Sequence, residues 1–316
     1  MASVTWQGIF LLIILIATLF GNILCLYILM KLQRRLLKRP LYIFIFNICV
    51  ADIAVVVCSM LIKTFDEFYQ DWFFGDVMCQ IIEYSQRALF RVNVLTHLSI
   101  ACERYFSVVF ALKPQIQITK RIAGRIITCI WLFSFIISIP LIFSFDVGEK
   151  NGERICMLIH LPWTWFDKLY GSLDLFIFFL IPLGLLLFIY GSIISTLYRR
   201  KRQTGDLGSI NATMNTIRAS LRGVRVSIIV VVAFVTCWIP VIVKGFHRLI
   251  VPNVNTDRTD PLYATAMYLA FTNDAIVPLL YCALDSNLEP YVRKIFYCFR
   301  DTQDDETSED NATIPE

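Results

Sequence analysis

The sequence predicts an all-α protein, a bundle of seven membrane-spanning helices followed by a short amphipathic eighth helix, from three observations. The 316 residues are 57% hydrophobic and only 17% charged, whereas a soluble domain has roughly 45–50% apolar and about 25% charged residues. Seven apolar segments have the length of about 20 residues that crosses a hydrocarbon core, and basic residues gather in alternate loops. The composition excludes a soluble enzyme and a disordered chain, and a net charge of +4 is too small to indicate a nucleic-acid partner.

The seven predicted spans end at charged residues, prolines or glycines. They lie at Gly8–Met30, Leu41–Ile62, Val77–Cys102, Ala123–Phe145, Leu169–Thr196, Val224–Leu249 and Pro261–Leu284. The first has no basic region before it and no small-residue cleavage site after a short core, so it is predicted to be an anchor and not a signal peptide. The third is the weakest by hydropathy, because four polar or charged residues interrupt it. We keep it because the neighbouring spans then alternate across the membrane.

These spans divide the chain into four segments. The first is a short outer N-terminus over residues 1–7, and the second is the seven-span domain over 8–286. A membrane-lying amphipathic helix is predicted over 287–299, and an acidic tail without aromatic residues is predicted to be disordered over 300–316. No internal repeat is visible, which weighs against a transporter, since transporters are often built from repeated halves.

The orientation follows from Lys and Arg in the short loops. Of the 29 basic residues, 20 lie in the loops after the first, third and fifth spans and after the last one, and 7 lie in the opposite loops. The N-terminus is therefore predicted outside and the C-terminus in the cytoplasm, as in a multi-pass protein of the plasma membrane.

This topology predicts which of the ten cysteines face an oxidising compartment. Only Cys79, at the outer start of the third span, and Cys156, in the second outer loop, meet an oxidising compartment, so a disulfide is predicted between them. The alternative is two free thiols that face outward. Cys298 follows the amphipathic stretch Leu288–Phe299, where palmitoylation and a plain buried cysteine both stay open. No cysteine spacing indicates zinc or an iron–sulfur cluster.

Polar side chains form a stripe along the third span. A charge in hydrocarbon costs at least ~2.5–3.5 kcal/mol, so this helix is predicted to be the core of the bundle, enclosed by the others. At about 100° per residue, one face carries Gln86, Asn93, His97 and Arg104, and the adjoining arc carries Glu83, Arg87 and Arg91. Glu83 stands four residues before Arg87, which is a favourable spacing for an ion pair within a helix.

Further polar residues are predicted inside other spans. They are Asn22 in the first span, Asp52 in the second, Asp174 in the fifth, and Asn273 and Asp274 in the seventh. Asp52 and Asp274 could meet Asn93 as oxygen ligands of a small cation, such as sodium, or of a water cluster. The alternative is a hydrogen-bonded packing network. Asp174 could neutralise Arg87 or Arg91, either for structure or to anchor a ligand.

Four prolines are predicted inside four different spans, at Pro140, Pro182, Pro240 and Pro278. Each removes a backbone hydrogen bond and is expected to kink its helix and give it a hinge.

These residues together resemble a rhodopsin-like (class A) G-protein-coupled receptor, and the resemblance covers essentially the whole chain. Each span carries one of the family's marks at the matching depth. They are Gly21-Asn22, Asn47 to Asp52, Cys79 with Glu103-Arg104-Tyr105, Trp131, Pro182 with Tyr190, Cys237-Trp238-Ile-Pro240, and Pro278-Leu-Leu-Tyr281.

The resemblance implies a receptor that activates a heterotrimeric G protein, with no catalytic site and no required cofactor. Arg104 is held by Glu103 at rest and swings inward on activation, and Trp238 senses the ligand above the kink at Pro240. Tyr190 and Tyr281 correspond to tyrosines whose hydroxyls meet through water in the active state. Arrestin and a receptor kinase are the expected partners of the tail.

Three departures from the family's pattern stand out. Val277 replaces the asparagine before the seventh-span proline while Asp274 adds a carboxylate, which leaves sodium regulation open. Ala111 replaces the proline of the second inner loop. His97 replaces a typical aliphatic residue near Arg104, and we hypothesise that it raises basal activity.

Residues at single positions indicate the class of ligand. Gln86 stands where an amine receptor has a carboxylate, and Phe271 stands where an opsin has its lysine, so both of these receptor classes are disfavoured. A glutamine there resembles receptors for amidated neuropeptides, so a short peptide is expected. The predicted pocket residues are Lys63, Glu67, Gln86, Arg87, Arg91, Asp174, Trp238, Lys244 and His247.

Other ligand classes and functions stay open. The mixed charge of the predicted pocket would also suit an acidic small molecule, and a lipid ligand is a further alternative. A constitutively active receptor and, more remotely, an ion or solute transporter remain.

Overall fold

The computed structural model describes residues 6–32, 36–111, 113–150, 152–158, 164–205, 210–251 and 260–295. Its long helices form one bundle, and a β-hairpin lies at one end, which we call the hairpin end. The α-helices are α1 Trp6–Lys31, α2 Pro40–Val55, α3 Leu61–Tyr69, α4 Gly75–Val109, α5 Lys120–Ser138, α6 Thr164–Leu175, α7 Ile181–Gly205, α8 Ile210–Ile250 and α9 Pro261–Leu284. The antiparallel strands of the hairpin are β1 Phe145–Lys150 and β2 Glu153–Leu158.

Short segments of altered helix join some of these elements. A π-helix over Val56–Met60 connects α2 to α3, and another over Phe176–Leu180 connects α6 to α7. A 3₁₀ helix over Ile139–Phe143 follows α5, and one over Pro114–Ile116 precedes it. The second and fifth spans are therefore continuous rods with one widened turn each, a feature that often marks functional sites.

Six of the predicted spans have helices long and apolar enough to cross a membrane by composition alone. The seventh, α4, runs for 35 residues and carries the charged stripe, so its charges set it apart from the others. Its place inside the bundle explains how it tolerates them: α4 packs against α2, α5 and α7, and Arg91, Asn93 and His97 are all at least nine-tenths buried. The prediction that the third span forms the core is confirmed.

The prolines have different positions within their helices. Pro240 and Pro278 lie inside α8 and α9, as predicted. Pro182 lies in the first turn of α7, directly after the π-helix. Pro140 lies inside the fourth span, Lys120–Phe143, as predicted, but α5 ends at Ser138 and the span continues as a 3₁₀ helix, which accommodates a proline in its first turn.

The hairpin was not predicted from the sequence. The disulfide between Cys79, in the second turn of α4, and Cys156, on β2, joins it to the bundle and confirms the predicted pairing. A backbone hydrogen bond of 2.9 Å from Trp72 N to the Arg154 carbonyl adds a second tie. Trp72 is itself buried against the same cluster as Cys79 and Phe145. The hairpin is therefore held over this end of the bundle.

The predicted amphipathic segment after the seventh span is partly described. Residues 289–295 are helical, and Leu288 is buried in the core cluster that also contains Tyr42 and Tyr281. The Tyr42 hydroxyl donates to the Asp285 carboxylate at 3.2 Å, which fixes the turn after α9. Cys298 and the acidic tail lie outside the described residues.

Candidate functional site

A cavity at the hairpin end lies between α1, α3, α4, α9 and the hairpin; we call it the hairpin cavity. Leu11, Trp72, Phe145 and Phe271 supply apolar walls. Its charged lining is Lys63, Asp66, Glu67 and Glu83. The cavity is therefore closed on one side by the loop that the disulfide holds in place.

The lining carries more negative than positive charge. Asp66, Glu67 and Glu83 are each about nine-tenths buried, and Lys63 is the one Lys or Arg among the described lining residues. Lys63 Nζ lies 2.6 Å from Glu83 Oε1, and the Tyr268 hydroxyl donates to Glu67 Oε1 at 2.6 Å. Lys63 thus pairs with Glu83, and carboxylates outnumber basic groups among the described lining residues.

The basic residues predicted for the pocket are mostly engaged elsewhere. Lys63 lines the cavity, and Glu67 does as well. Arg91 NH2 lies 2.6 Å from Asp174 Oδ1, and Lys244 forms an ion pair with Asp260. His247 is exposed on α8, and Arg87 is half-buried on α4.

Gln86 lies one turn deeper on α4 than the cavity wall at Glu83. It is buried, and its side-chain oxygen accepts a hydrogen bond of 3.0 Å from the Ser59 hydroxyl. Among the described residues, no hydrogen-bond partner is seen for the side-chain amide nitrogen of Gln86. Gln86 can therefore offer a donor to a ligand while its oxygen is held.

Arg91 is the centre of a buried polar network that ties three spans. Its guanidinium donates to Asp174, to the Ser138 hydroxyl on α5 and to the Tyr170 hydroxyl on α6. The ring of Phe178 stacks under the same group, 5.0 Å from ring centroid to Cζ. Of the two partners left open for Asp174, the structure therefore selects Arg91. Glu83 pairs with Lys63 across helices and not with Arg87 along its own helix.

Trp238 belongs to a row of packed aromatic rings. Its ring centroid is 4.0 Å from that of Phe90 on α4 and 6.1 Å from that of Phe234, one turn away on α8. Phe234 in turn lies 5.1 Å from the ring of His97. A change at the Trp238 ring can therefore be passed along α8 towards the other end of the bundle.

The predicted polar core is assembled from four helices, α1, α2, α4 and α9. Asn93 Nδ2 donates to Asp52 Oδ1 at 2.8 Å, and Asn22 Nδ2 donates to the Asp274 carbonyl at 3.0 Å. Asn273 Nδ2 lies 3.4 Å from Asp274 Oδ1. Four buried oxygens have no donor among the described residues, namely those of Asn22 (Oδ1), Asp52 (Oδ2), Asn93 (Oδ1) and Asn273 (Oδ1). This surplus of acceptors fits a small cation or ordered water.

The switch residues lie at the end opposite the hairpin. Arg104 Nε is 2.6 Å from Glu103 Oε2, as the resemblance implies for a resting state, and Tyr105 packs its ring against Phe106 and Phe110. Tyr190 and Tyr281 are buried. Gly223 on α8 faces Arg104 so closely that a Cβ there would lie 3.4 Å from Arg104 Nη1. The end of α8 that lies opposite the hairpin is thus closed against α4.

Comparison with known proteins places this arrangement in a family. Residues 21–281 match the family described as "7 transmembrane receptor (rhodopsin family)", a range that spans most of the described bundle. The chain belongs to the rhodopsin family of seven-transmembrane receptors. It is therefore a multi-pass membrane receptor that couples to a G protein, and the family is not one of enzymes.

Curated relatives of the receptor are named for peptides. A "QRFP-like peptide receptor" of Branchiostoma floridae is 25% identical over 301 residues, covering 92% of this chain and 77% of the relative. A "Neuropeptide S receptor" of Mus musculus is 26% identical over 296 residues, covering 90% of this chain and 78% of the relative. The resemblance to class A receptors, and within them to neuropeptide receptors, is confirmed.

The sequence missed part of the receptor's cavity. Asp66 and Tyr268 were not predicted there, and Glu83 was assigned to an ion pair within its own helix. The signal that could have found Asp66 is the acidic pair Asp66-Glu67 directly after the predicted end of the second span. The helix continues through α3 to Tyr69, which carries both side chains to the cavity.

Proposed function

We propose that the receptor binds an extracellular peptide in the hairpin cavity and activates a heterotrimeric G protein at the Arg104 end. The observation that carries the proposal is the cavity itself, which is lined by buried charged and aromatic side chains and closed by a disulfide-bonded hairpin. The names of the relatives support a peptide. The proposal includes a plasma-membrane location with the hairpin end outside and the C-terminus in the cytoplasm.

The described lining residues of the cavity carry three carboxylates, those of Asp66, Glu67 and Glu83, and one ammonium, that of Lys63. This acidic lining favours a peptide with a cationic group, such as a free amino terminus or a basic side chain, over the acidic small molecule that the sequence left as an alternative. An amidated end could then reach the Gln86 side-chain nitrogen.

Activation is proposed to be a shift between two populations of the bundle. A ligand that contacts α3, α4 and α9 at the hairpin end would favour one arrangement of Trp238 above Pro240. Arg104 would then leave Glu103 and receive the G protein, with Tyr190 and Tyr281 lining the opened space beside Pro278. A coupling of about 1–3 kcal/mol between the two ends is enough for such a receptor.

Other partners belong to the same proposal. Arrestin and a receptor kinase would act at the tail, and lipid would contact the bundle and an acyl group on Cys298. A sodium ion would be held at Asp52 by the acceptor oxygens of the polar core. Its chemistry would be to stabilise the resting packing of the surrounding helices.

A specific observation favours signalling without a ligand as a second candidate. The whole of α8 contains no Asp or Glu, so it offers Arg104 no carboxylate across the helix interface. The closed state then depends on Glu103, which lies on the same helix as Arg104 and cannot hold α8 in place. We therefore expect measurable basal activity, whatever the contribution of His97.

The test is a screen of matched peptides in cells that express the receptor and report G-protein activation. Each peptide is offered with a free or acetylated amino terminus and with an amidated or free carboxyl terminus. Activity confined to cationic peptides supports the proposal, and activity confined to anionic ligands contradicts it.

The cavity is then tested with Glu67→Gln and a control. The amide oxygen of the glutamine can still accept the Tyr268 hydrogen bond, so the variant removes the charge and keeps that bond. It should raise the peptide concentration needed for half-maximal signalling by roughly tenfold or more, as loss of one buried charge contact does. Glu149→Gln, on the exposed part of β1, should leave that concentration unchanged. Equal behaviour of the two variants would remove the cavity from ligand recognition.

A further inference from the structure

The start of α5 carries three basic residues that the proposed function does not use. Lys120, Arg121 and Arg125 are exposed on the first turns of this helix. None of them forms an ion pair among the residues that the structure describes, and the sequence contains no Asp or Glu between Glu103 and Asp146. Three cations therefore lie close together, and the adjoining chain supplies no carboxylate to neutralise them.

The three basic residues line an open groove along α5, which we call the basic groove. Its described lining consists of two neighbouring rows on the helix, Lys120, Gly124 and Thr128 in one and Arg121, Arg125 and Cys129 in the other. Residues four apart are neighbours on a helix surface, so both rows lie on one face. The volume of the groove is about 760 Å³, within the range of about 300–1,000 Å³ that ligand clefts have.

A glycine leaves room between the basic side chains of this groove. A Cβ added at Gly124 would meet no atom within 4 Å, so the middle of its row is a gap. Arg121 and Arg125 lie beside this gap in the neighbouring row. The groove therefore offers space for a ligand group directly next to two guanidinium groups.

The basic groove lies at the end of the bundle opposite the hairpin. The loop before α5 is tied to the end of α4, because Gln117 Nε2 donates to the carbonyls of Phe106 and Phe110, at 3.0 Å in each case. Phe106 is two residues after Arg104 on the same helix. In the orientation proposed above, this end faces the cytoplasm, so the groove lies at the level of the lipid head groups of the inner leaflet.

The same face of α5 becomes apolar further into the membrane. Leu132 and Ile136 continue the row of Arg125 and Cys129 at helical spacing, and they are 60% and 63% exposed. One continuous face is thus cationic at the membrane surface and apolar over the following turns. These two parts match the head group and the acyl chain of an anionic phospholipid.

We propose that the basic groove binds an anionic lipid of the cytoplasmic leaflet whose head group carries additional phosphates, a phosphorylated phosphatidylinositol. A phosphate occupies the gap at Gly124 and accepts hydrogen bonds from Arg121 and Arg125, since guanidinium groups bind phosphate through paired, charge-assisted hydrogen bonds. An acyl chain lies along Leu132 and Ile136.

The charge of the groove selects this occupant over two others. Phosphatidylserine carries one net negative charge and neutralises one of the three cations, whereas a head group with several phosphates can contact all of them, and each Lys or Arg near an anionic membrane surface adds to binding. A second copy of the chain in a symmetric contact would place the same three cations opposite themselves, where they repel. A multiply phosphorylated lipid therefore fits the groove best.

The experiment uses purified full-length receptor in phosphatidylcholine nanodiscs that contain phosphatidylinositol bisphosphate with a photoreactive group on an acyl chain. After illumination, mass spectrometry of receptor peptides should find the cross-links concentrated on α5 around Leu132 and Ile136. Cross-links spread evenly over the bundle would overturn the proposed site. Neither the peptide nor the G protein takes part in this measurement, so its failure would leave the proposed function standing.

Competition identifies the head group. Unlabelled phosphatidylinositol bisphosphate in excess should abolish the cross-links, whereas the same excess of phosphatidylserine or of water-soluble inositol trisphosphate should not. Equal displacement by phosphatidylserine would overturn the requirement for additional phosphates. Equal displacement by inositol trisphosphate would overturn the choice of a lipid.

The arginines are tested with a pair of double variants. Arg121→Gln with Arg125→Gln should raise the fraction of phosphatidylinositol bisphosphate needed for half-maximal cross-linking by roughly twentyfold, about fivefold for each charge lost. Arg222→Gln with Arg225→Gln removes two exposed charges from α8 and should leave that fraction unchanged. Thermal unfolding verifies that both receptors fold. The same result for the two double variants would mean that the lipid responds to overall charge and not to this groove.

A glycine variant tests the shape of the groove without changing its charge. Gly124→Leu fills the gap and should weaken cross-linking, although all three basic residues remain. Gly191→Leu, at an exposed position of α7 where an added Cβ also meets no atom within 4 Å, is the matched control and should behave as the parent receptor. Parent-like cross-linking in a folded Gly124→Leu receptor would refute the placement of the phosphate in the gap.

Discussion

Arg91 is among the most deeply buried side chains of the bundle, at 1% exposure, and its guanidinium is satisfied on every side. Removing one partner of such a pair leaves an uncompensated charge, which is more damaging than never having had the pair. Asp174→Asn should therefore destabilise the receptor by about 3 kcal/mol. The measurement is thermal unfolding of purified receptor in detergent, combined with the fraction of receptor that reaches the cell surface.

A second ion pair of the same type provides the control. Asp71 pairs with Arg154 at 2.8 Å, but the two side chains are 48% and 55% exposed, so water screens the interaction. Asp71→Asn should change the unfolding temperature little. If both variants lose the same stability, burial does not govern these pairs. From the sequence, Asp174 could be assigned to either arginine, because Arg87 and Arg91 are one turn apart and only the packed helices determine which of them it reaches.

The contact between α8 and α9 at the hairpin end depends on one carboxylate. Burial alone would raise the pKa of Asp260. Hydrogen bonds from Lys244 and from the backbone N–H groups of Leu262 and Tyr263 have the opposite effect, as does the positive charge of Lys244, and together they lower this pKa below its ordinary value. The two backbone bonds make Asp260 the cap of α9, with Oδ1 2.9 Å from Leu262 N. One side chain thus starts α9 and joins it to α8.

This lowered pKa predicts a pH dependence of stability. A carboxyl group whose pKa is lower when folded stabilises the fold above its unfolded pKa of about 3.9, and that contribution is lost as the pH falls through the lower folded value. Asp260→Asn keeps a good capping residue but loses the charge, so it should be less stable than the parent receptor at pH 7. Melting curves recorded from roughly pH 7 to pH 3 should converge at the acid end. A constant gap between the curves would contradict this account.

Gly223 is predicted to set the resting distance between α4 and α8 at the inner end. A Cβ at Gly223 would already contact Arg104 Nη1 at 3.4 Å, so the longer side chain of Gly223→Leu should displace the guanidinium and push α8 outward. Spin labels on the inner ends of the two helices should report a longer distance, and basal G-protein activation should rise.

Gly245→Leu, on the same helix but with no atom within 4 Å of an added Cβ, is the matched control and should change neither quantity. Both substitutions remove a glycine from a helix interior and gain similar helix propensity, so that effect cancels. An unchanged distance in Gly223→Leu would show that the closed interface tolerates the bulk.

The positions of the helices were predictable because hydropathy reports directly on lipid contact. The seventh predicted span, Pro261–Leu284, matches α9 at both ends, and the disulfide followed from which cysteines face an oxidising compartment. The hairpin was not predictable, because β1 and β2 are short and have no strong alternation, and their pairing depends on the tie to α4. The second span was predicted too short, because Lys63, Asp66 and Glu67 are charged residues that face a cavity and not lipid.

The candidate site was predicted less well than the fold. The sequence located the charged residues on the correct helices, but it could not assign their partners. Whether a lysine on α3 pairs with Glu83, or an arginine on α4 with Asp174, depends on how the helices pack and on the rotation of each helix about its axis. The sequence predicted a mixed-charge, partly basic pocket, whereas among the described residues that line the cavity the carboxylates outnumber the one lysine.

The number of crossings distinguishes this receptor from a simpler membrane protein. In the described part of the chain, six helices are long and apolar enough to cross a membrane, and an even number of crossings would leave both ends of the chain on the same side. The seventh crossing is α4, whose charges are acceptable because the surrounding helices bury them. An odd number places the two ends on opposite sides, and the basic loops predict which end lies outside.

We therefore expect an epitope tag at the N-terminus to be stained by antibody in intact cells and a tag at the C-terminus to be stained only after permeabilisation. The sequons at Asn211 and Asn311 should carry no glycan, since both lie on the cytoplasmic side in this topology. A sequon introduced before Trp6 serves as the positive control and should be glycosylated. Staining of both tags in intact cells would mean that α4 does not cross, and the enclosure of Arg91, His97 and Arg104 by the other helices would then have no basis.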